Sequence, residues 1–499
     1  MNLPSSLSAS YWQSFEVKKS DADFLLTYLF ERETPSKTGE LVEALVAERI
    51  RFEEEVILEK RKGSGKIYLP KEHYKACEDV AFPALGWQKG KILSVREGKN
   101  PEIEEFDVMT VEMEGGNEHL FAMGVDEHAL NASGDVGEGD GEVDLSAVME
   151  EFGGALGDKL ATALEAGDEL VSIANHWFPR ALLVDVNIGH LNLAEAILDM
   201  AEGEPQETSV LMKDIDFPEG DNPSLTEFSL NFALKEDARF DEAGSTGTVL
   251  WCLERLEPEE VRNVPEMLQY EPADLNRSTL SDEMLALESK LDDELSKISI
   301  EDDAPKKATI SLLYPHWRLG TFPISERLRS FFPSAYESPR IRFTLVDGES
   351  GERMPAWVVK DNRYVYGLRE WYKEKGLIPG SLIDIRQGKA AGEVIIQAQT
   401  HRSKRDWVRT VMAGSDGGLV FATLKQVINA KFDDRMILAV PDADAQDKAW
   451  EMTQKSNKQF ETLVRSVMQE LKKLNPQGHI HAQELYSAIN LLKRCPPAP

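Results

Sequence analysis

Apolar residues recur along the chain in two rhythms, one of helical and one of strand spacing, and the switches between them divide it into modules. Phe24, Leu25, Tyr28 and Leu29 fall on one helical face. A break at Thr34-Pro35-Ser36 follows, and Leu41, Leu45, Val46 and Ile50 then predict a second helix begun by Thr38. The stretch EVILEKRKGSGKIYLP predicts a hairpin, with Val56 and Leu58 on one strand, Ile67 and Leu69 on the other, and the turn at Gly63-Ser64-Gly65. Two helices and a hairpin point to a winged helix over residues 1–75, with Lys60, Arg61, Lys62 and Lys66 at the wing. The GSGK string does not meet the phosphate-loop spacing: the position five before Gly65 is Lys60, and Ile67 stands where Ser or Thr belongs. Short alternations at Ile92, Val95, Val108, Val111, Met113 and Phe121 predict a small SH3-like barrel over residues 76–132.

Residues 133–144, SGDVGEGDGEVD, have almost nothing to bury and predict a flexible acidic linker. Residues 145–170 are helical by periodicity. A second winged helix follows, completing a domain of residues 145–258. Its helices are LAEAILDMAEGEPQ and LTEFSLNFALKED, the latter capped by Ser224, and its hairpin turns at Gly244 to Gly247. Residues 259–305 predict a linker. In it Ser281 N-caps a helix carrying Met284, Leu287, Leu291, Leu295 and Ile298. Residues 306–409 are rich in strands, and residues 410–499 read as a helical domain, with an apolar face from Phe460 to Leu474 and another from Leu485 to Leu492. The fold class is therefore α+β and multi-domain.

Two of these modules resemble known families. Glu204-Pro205, the helix end Leu234 to Phe240 and the closing Val249-Leu250-Trp251-Cys252-Leu253 resemble the HARE-HTH winged helix of the RNA polymerase delta subunit and of some chromatin and restriction-linked proteins. The first module resembles it more weakly. The acidic residues of the second copy, Glu227, Glu236, Asp237, Asp241 and Glu242, favour a protein partner for it. The second resemblance rests on the order of Gly320 and Pro323, Phe332-Pro333, Asp347 and Gly351 before Trp357, Gly367-Leu368 before Trp371, and Leu377 to Gly380. That order resembles the DNA-binding pseudobarrel of plant auxin-response and abscisic-acid transcription factors and of restriction-enzyme recognition domains. The resemblance implies two groove-gripping loops, here His316, Trp317 and Arg318 in the first and Lys360, Asn362 and Arg363 in the second. Tyr314-Pro315-His316 replaces the usual Lys and Ser-Asp of the first loop.

The chemistry of these side chains supports the same expectation. Arg318, Lys360 and Arg363 suit phosphates or guanine edges, and Asn362 suits adenine. Arg402, Lys404, Arg405 and Arg409, with His401, add a phosphate-facing run after the barrel. The formal net charge of −32 over 499 residues argues against nucleic acid, but residues 306–409 hold 19 Lys/Arg against 11 Asp/Glu, or +8, leaving −40 elsewhere. Screening beyond roughly 8 Å lets a basic face act inside an anionic molecule.

Three cysteines (Cys77, Cys252 and Cys495), an odd number far apart, predict neither a disulfide framework nor a zinc site and fit a reducing cytoplasm. No apolar run has membrane length, and the N-terminus lacks the pattern of a signal peptide. Pro441-Asp442 with Glu470-Leu471-Lys472 matches a loose nuclease string. On a helix, however, positions two apart diverge by about 200° and cannot share a metal. HExxH, GxSxG and a dinucleotide fingerprint are absent. His479 and His481 have no third ligand in view. The expectation is a non-enzymatic, cofactor-free protein that contacts duplex DNA in transcription or the nucleoid. The alternatives are an acidic adaptor, for example to RNA polymerase, and a metal-dependent nuclease.

Overall fold

The computed structural model describes residues 9–62, 66–82, 85, 88–99, 106–113, 116–126, 128, 130–131, 145–217, 222–272, 275–298, 306–336, 338–388, 393–414, 417–456, 459–475 and 477–499. The side chains of residues 53, 54 and 56–62 lie outside that description. The chain is α+β and divides into two compact units, Met1–Leu183 and Val184–Pro499. No helix among the described residues is long and apolar enough to cross a membrane.

In the first unit, α1 (Ala9–Gln13), α2 (Lys19–Arg32), β1 (Ser36–Lys37) and α3 (Thr38–Lys62) are followed by a five-stranded sheet. Its strands are β2 (Lys66–Ile67), β3 (Asp79–Phe82), β4 (Gln88–Glu97), β5 (Asp107–Met113) and β6 (Glu118–Met123), in that spatial order. The chain then returns through α4 (Leu145–Glu165) to β7 (Leu170–Ile173) and β8 (His176–Pro179). β1, β8 and β7 form one sheet, and Leu25, Leu29, Leu41, Val42, Leu45, Val148, Leu156, Leu160 and Trp177 share one core with α2, α3 and α4.

The expected hairpin at residues 55–69 is therefore wrong. Val56 and Leu58 continue α3, because EEEVILEKRK is a run of helix-favouring side chains with no breaker before Gly63. The cations Lys60, Arg61 and Lys62 stand on that helix rather than on a wing, and the turn at Gly63 to Gly65 lies outside the described residues. The hairpin that completes the three-helix module is β7–β8, over a hundred residues later, with the five-stranded domain inserted between α3 and α4. Residues 145–179 thus belong to the first unit, not to a domain of 145–258, and the small sheet begins at Lys66 rather than at residue 76. The acidic linker at 133–144 lies outside the described residues.

The second unit opens with α5 (Ile188–Met200), β9 (Gln206–Glu207), α6 (Thr208–Leu211), α7 (Pro223–Glu236), β10 (Phe240–Glu242) and β11 (Leu250–Leu253). This repeats the order of the first module, and the repeat extends to register. Ser36 pairs with Trp177, and Gln206 with Trp251. Each short strand lies in a Pro-x-x-Thr-x-x-Leu string, Pro35 to Leu41 and Pro205 to Leu211. Both indoles are tied internally. Trp177 Nε1 donates to Thr38 Oγ1 at 2.9 Å, while Trp251 Nε1 and Thr208 Oγ1 both donate to Asn231 Oδ1 at 2.8 and 2.5 Å. Asn222, not Ser224, caps α7, with Pro223 at the first helical position.

After α8 (Glu259–Arg262) comes α9 (Asp282–Leu291), capped as expected by Ser281. The helix stops at Asp292 in the left-handed region, φ 49°, so Leu295 and Ile298 leave the predicted stripe. Next come β12 (Lys307–Ser311), α10 (Tyr314–Leu319), β13 (Thr321–Pro323), β14 (Arg340–Asp347), β15 (Arg353–Val359), β16 (Tyr364–Tyr366), α11 (Arg369–Glu374), β17 (Leu382–Gln387) and β18 (Glu393–Ala398). The seven strands form a curled sheet in the order β12-β17-β18-β14-β15-β16-β13, antiparallel except where β14 meets β18. Its hollow is filled by Phe322, Leu328, Ile341, Leu345, Val358, Val365, Ile383, Ile385 and Ile396. The second winged-helix-like module sits on this sheet. Ala243, Cys252, Val261 and Leu268 pack on Trp357, Val359 and Tyr364, and Arg342 N donates to Ala243 O at 2.8 Å.

The C-terminal region corrects another expectation. It opens with a long antiparallel ribbon, β19 (Thr400–Ala413) and β20 (Leu419–Ala430), before α12 (Ala443–Lys455), α13 (Phe460–Lys472) and α14 (Ala482–Ile489). Residues 410–430 are therefore largely strand rather than helix.

Candidate nucleic-acid interface

The first expected loop is a short helix whose first turn is buried. α10 has Pro315 in its first turn and ends at Gly320, φ 69°. A side chain at that glycine would meet the Arg369 backbone nitrogen and Cα at 2.6 Å. Tyr314, Pro315 and His316 are buried, His316 completely. Its ring is bonded on both sides, to Glu294 Oε1 at 3.0 Å and Thr321 Oγ1 at 2.9 Å. Trp317 Nε1 donates to Leu377 O at 2.7 Å. Arg318 reaches Asp447 at 2.6 and 2.9 Å and Asp444 at 3.1 Å, and the Asp447 hydrogen bond raises its guanidinium pKa further. Three of the nine predicted contact residues are thus engaged within the protein, His316 and Arg318 by its own acids and Trp317 by a backbone carbonyl.

The second loop keeps its place but not its free cations. Lys360 Nζ donates to Ala335 O at 2.9 Å, and Arg363 donates to Glu294 O at 3.2 Å and pairs with Glu326 at 3.4 Å. Asn362 is exposed at the turn. Both loops therefore converge on the acidic segment after α9, the first through the Glu294 carboxylate and the second through its carbonyl. Asp292, in the same segment, accepts from Ser325 Oγ at 2.6 Å. Asp293 and Glu294 in turn meet the fully buried Arg494 at 2.8 and 2.7 Å. Burial pushes Asp293 above the usual carboxylate range. Burial presses Glu294 the same way, but Arg494 and then His316 overcome it and hold Glu294 well below.

The third predicted group stands on β19 and is open. Arg402, Lys404 and Arg405 are exposed, and among the described residues no carboxylate pairs with Arg402 or Arg405. Lys404 pairs with its neighbour Asp406 at 2.8 Å. Arg409 departs from the expectation: it is largely withdrawn from solvent, paired with Glu484 at 3.0 Å, and that withdrawal lowers its pKa. The ribbon brings in two residues that the sequence reading did not single out. Trp407 and Lys425 are cross-strand partners, as are Arg405 and Val427. Directly paired residues share a face, so these four side chains lie together. Trp407 is 62% and Val427 63% exposed, and Lys425 Nζ stands 5.2 Å from the Trp407 ring centroid.

No family model, no curated protein and no solved structure matches the chain.

The fragments of the nuclease string stay apart in role. Asp442 caps α12, while Glu470 lies on α13 and pairs with Lys473 at 2.6 Å. His481 caps α14, accepting from Gln483 N. Trp407 and Lys425 had a readable signal: alternating residues flank the turn GSDGG, which is a hairpin pattern.

Proposed function

We propose that the protein is a non-enzymatic DNA-binding protein, acting in transcription or the nucleoid. Its contact surface is the ribbon β19–β20 rather than the loop carrying His316 to Arg318. The observation that carries the reading is the exposed set Arg402, Lys404, Arg405 and Lys425 on one two-stranded element of an otherwise acidic chain. A two-stranded ribbon is slim enough to lie along a DNA groove, and its cations replace counterions released from phosphate. The ribbon follows directly from the last strand of the seven-stranded sheet, and Asn362 is an exposed member of the second loop whose amide suits a base edge.

The test is a gel-shift titration of the full chain against duplex DNA over a range of salt, beside the triple variant Arg402→Ala, Lys404→Ala, Arg405→Ala. Removing three phosphate contacts should flatten the log–log salt slope by roughly 2–3. A full chain with no affinity for DNA in dilute salt would overturn the reading. A second reading, a protein adaptor such as a partner of RNA polymerase, is favoured by α5, whose Ile188, Leu193 and Met200 are 64%, 47% and 85% exposed. Retention of core RNA polymerase by the full chain, lost in Leu193→Asp plus Met200→Asp, is the result it requires.

A further inference from the structure

Trp407 is the feature that phosphate binding leaves unused. An indole more than half exposed forgoes the burial that normally recommends the residue, and on a paired strand it could have been any polar side chain. Its surroundings differ between the two ends of the ribbon. Toward the turn, Val411, Leu419 and Phe421 of the same face are buried in the core made with α13 and α14. Toward the other end the covering stops, leaving Arg405, Trp407, Lys425 and Val427 open. Side chains two apart on a strand are spaced by about 6.6–6.8 Å, so Arg405 and Trp407 present a cation and a ring side by side. Lys425 stands over the ring, the second cation beside it.

We infer that Trp407 is a stacking platform for an unpaired nucleic-acid base, with Arg405 and Lys425 holding the flanking phosphates. The inference rests on the reading of the ribbon as a nucleic-acid surface and narrows its substrate class to strands with unpaired bases. In a duplex the base faces are already stacked, and a side chain on the ribbon reaches only their edges and the phosphates. In a single strand each base offers a free face, and an aromatic ring between cations is the arrangement that uses it. The only carboxylate on this part of the ribbon, Asp406, lies on the opposite face of β19 and is occupied by Lys404.

The experiment uses the full chain with three labelled probes: oligo(dT), oligo(U) of equal length, and the dT strand annealed to its complement. Variants are Trp407→Ala, Trp407→Phe and the triple cation variant. Loss of one stacked base predicts a roughly 5- to 150-fold weaker grip on the single strand in Trp407→Ala, with binding restored in Trp407→Phe and the duplex affinity unmoved. Tryptophan fluorescence quenched by oligo(dT) in the wild type should lose that component in Trp407→Phe. Comparing oligo(dT) with oligo(U) tells which kind of strand is taken. The inference falls, while the DNA-binding reading stands, if the triple variant weakens every probe and Trp407→Ala weakens none. It also falls if Trp407→Ala alters only the sedimentation of the protein, which would mean that the ring is covered by a second copy. Both fall if no probe binds.

Discussion

Arg494 is the perturbation with the largest effect that the structure lets one calculate. Its side chain is fully buried, as are those of Asp293 and Glu294 apart from 3% at Glu294. The guanidinium also donates to Asn490 Oδ1 at 3.0 Å and Cys495 O at 3.1 Å. Arg494→Met keeps much of the volume but leaves the two carboxylates with no cationic guanidinium, and with His316, Tyr486 and the Leu295 N–H as their remaining partners. Stranding buried charge in this way costs about 3–5 kcal/mol. The second unit runs from Val184 to Pro499, about 300 residues, so its unfolding entropy is about 0.6 kcal/mol per degree. A loss of ~4 kcal/mol then lowers its melting temperature by about 6–7 °C. The assay is differential scanning calorimetry of the full chain, following the transition of that unit. The sign with pH is also determined. Without Arg494 both carboxylates favour their protonated forms in the fold, so the deficit of the variant is greatest near neutral pH and narrows as pH falls. A shift below about 2 °C, or a deficit that widens in acid, would refute the electrostatic argument.

Glu257 gives a second pH dependence. Burial first, then Asp241 beside it, push its carboxyl up to about 8 against the pull of Arg340, from an ordinary value of 4.5. The native state keeps a proton that the unfolded chain has released, so this group's contribution to stability falls between about pH 4.5 and 8 and is flat above. Glu257→Gln removes that slope and gains on the wild type as pH rises; parallel melting profiles from pH 5 to 9 would count against it. Thr38→Val leaves the buried Trp177 Nε1 without its acceptor and costs about 1–3 kcal/mol, whereas Thr208→Val costs less because Asn231 still accepts from Trp251. Near-UV circular dichroism during thermal melting of the two variants reads the difference. Gly320→Ala forces a side chain onto the Arg369 backbone at positive φ and should destabilise by roughly 1–3 kcal/mol, read as a lower melting temperature.

What the sequence determined by itself was local. The periodicity of α2, the Ser281 cap, the turns of the curled sheet and the helical setting of Glu470 and Lys472 depend on neighbours within a few residues, and these were legible. The concentration of cations at residues 306–409 was equally legible, because charge is counted rather than placed. Tertiary structure decided the rest. Whether α3 ends in a wing depended on a hairpin more than a hundred residues away, and α9 stopped at Asp292 because that segment turns inward to meet His316 and Arg494. Arg318 and Arg402 look alike in the sequence, yet one is bound to Asp444 and Asp447 and the other is exposed. Only the fold brings distant carboxylates to one arginine and leaves the other to solvent, and the Coulomb energy that separates them depends on distance through space, not along the chain.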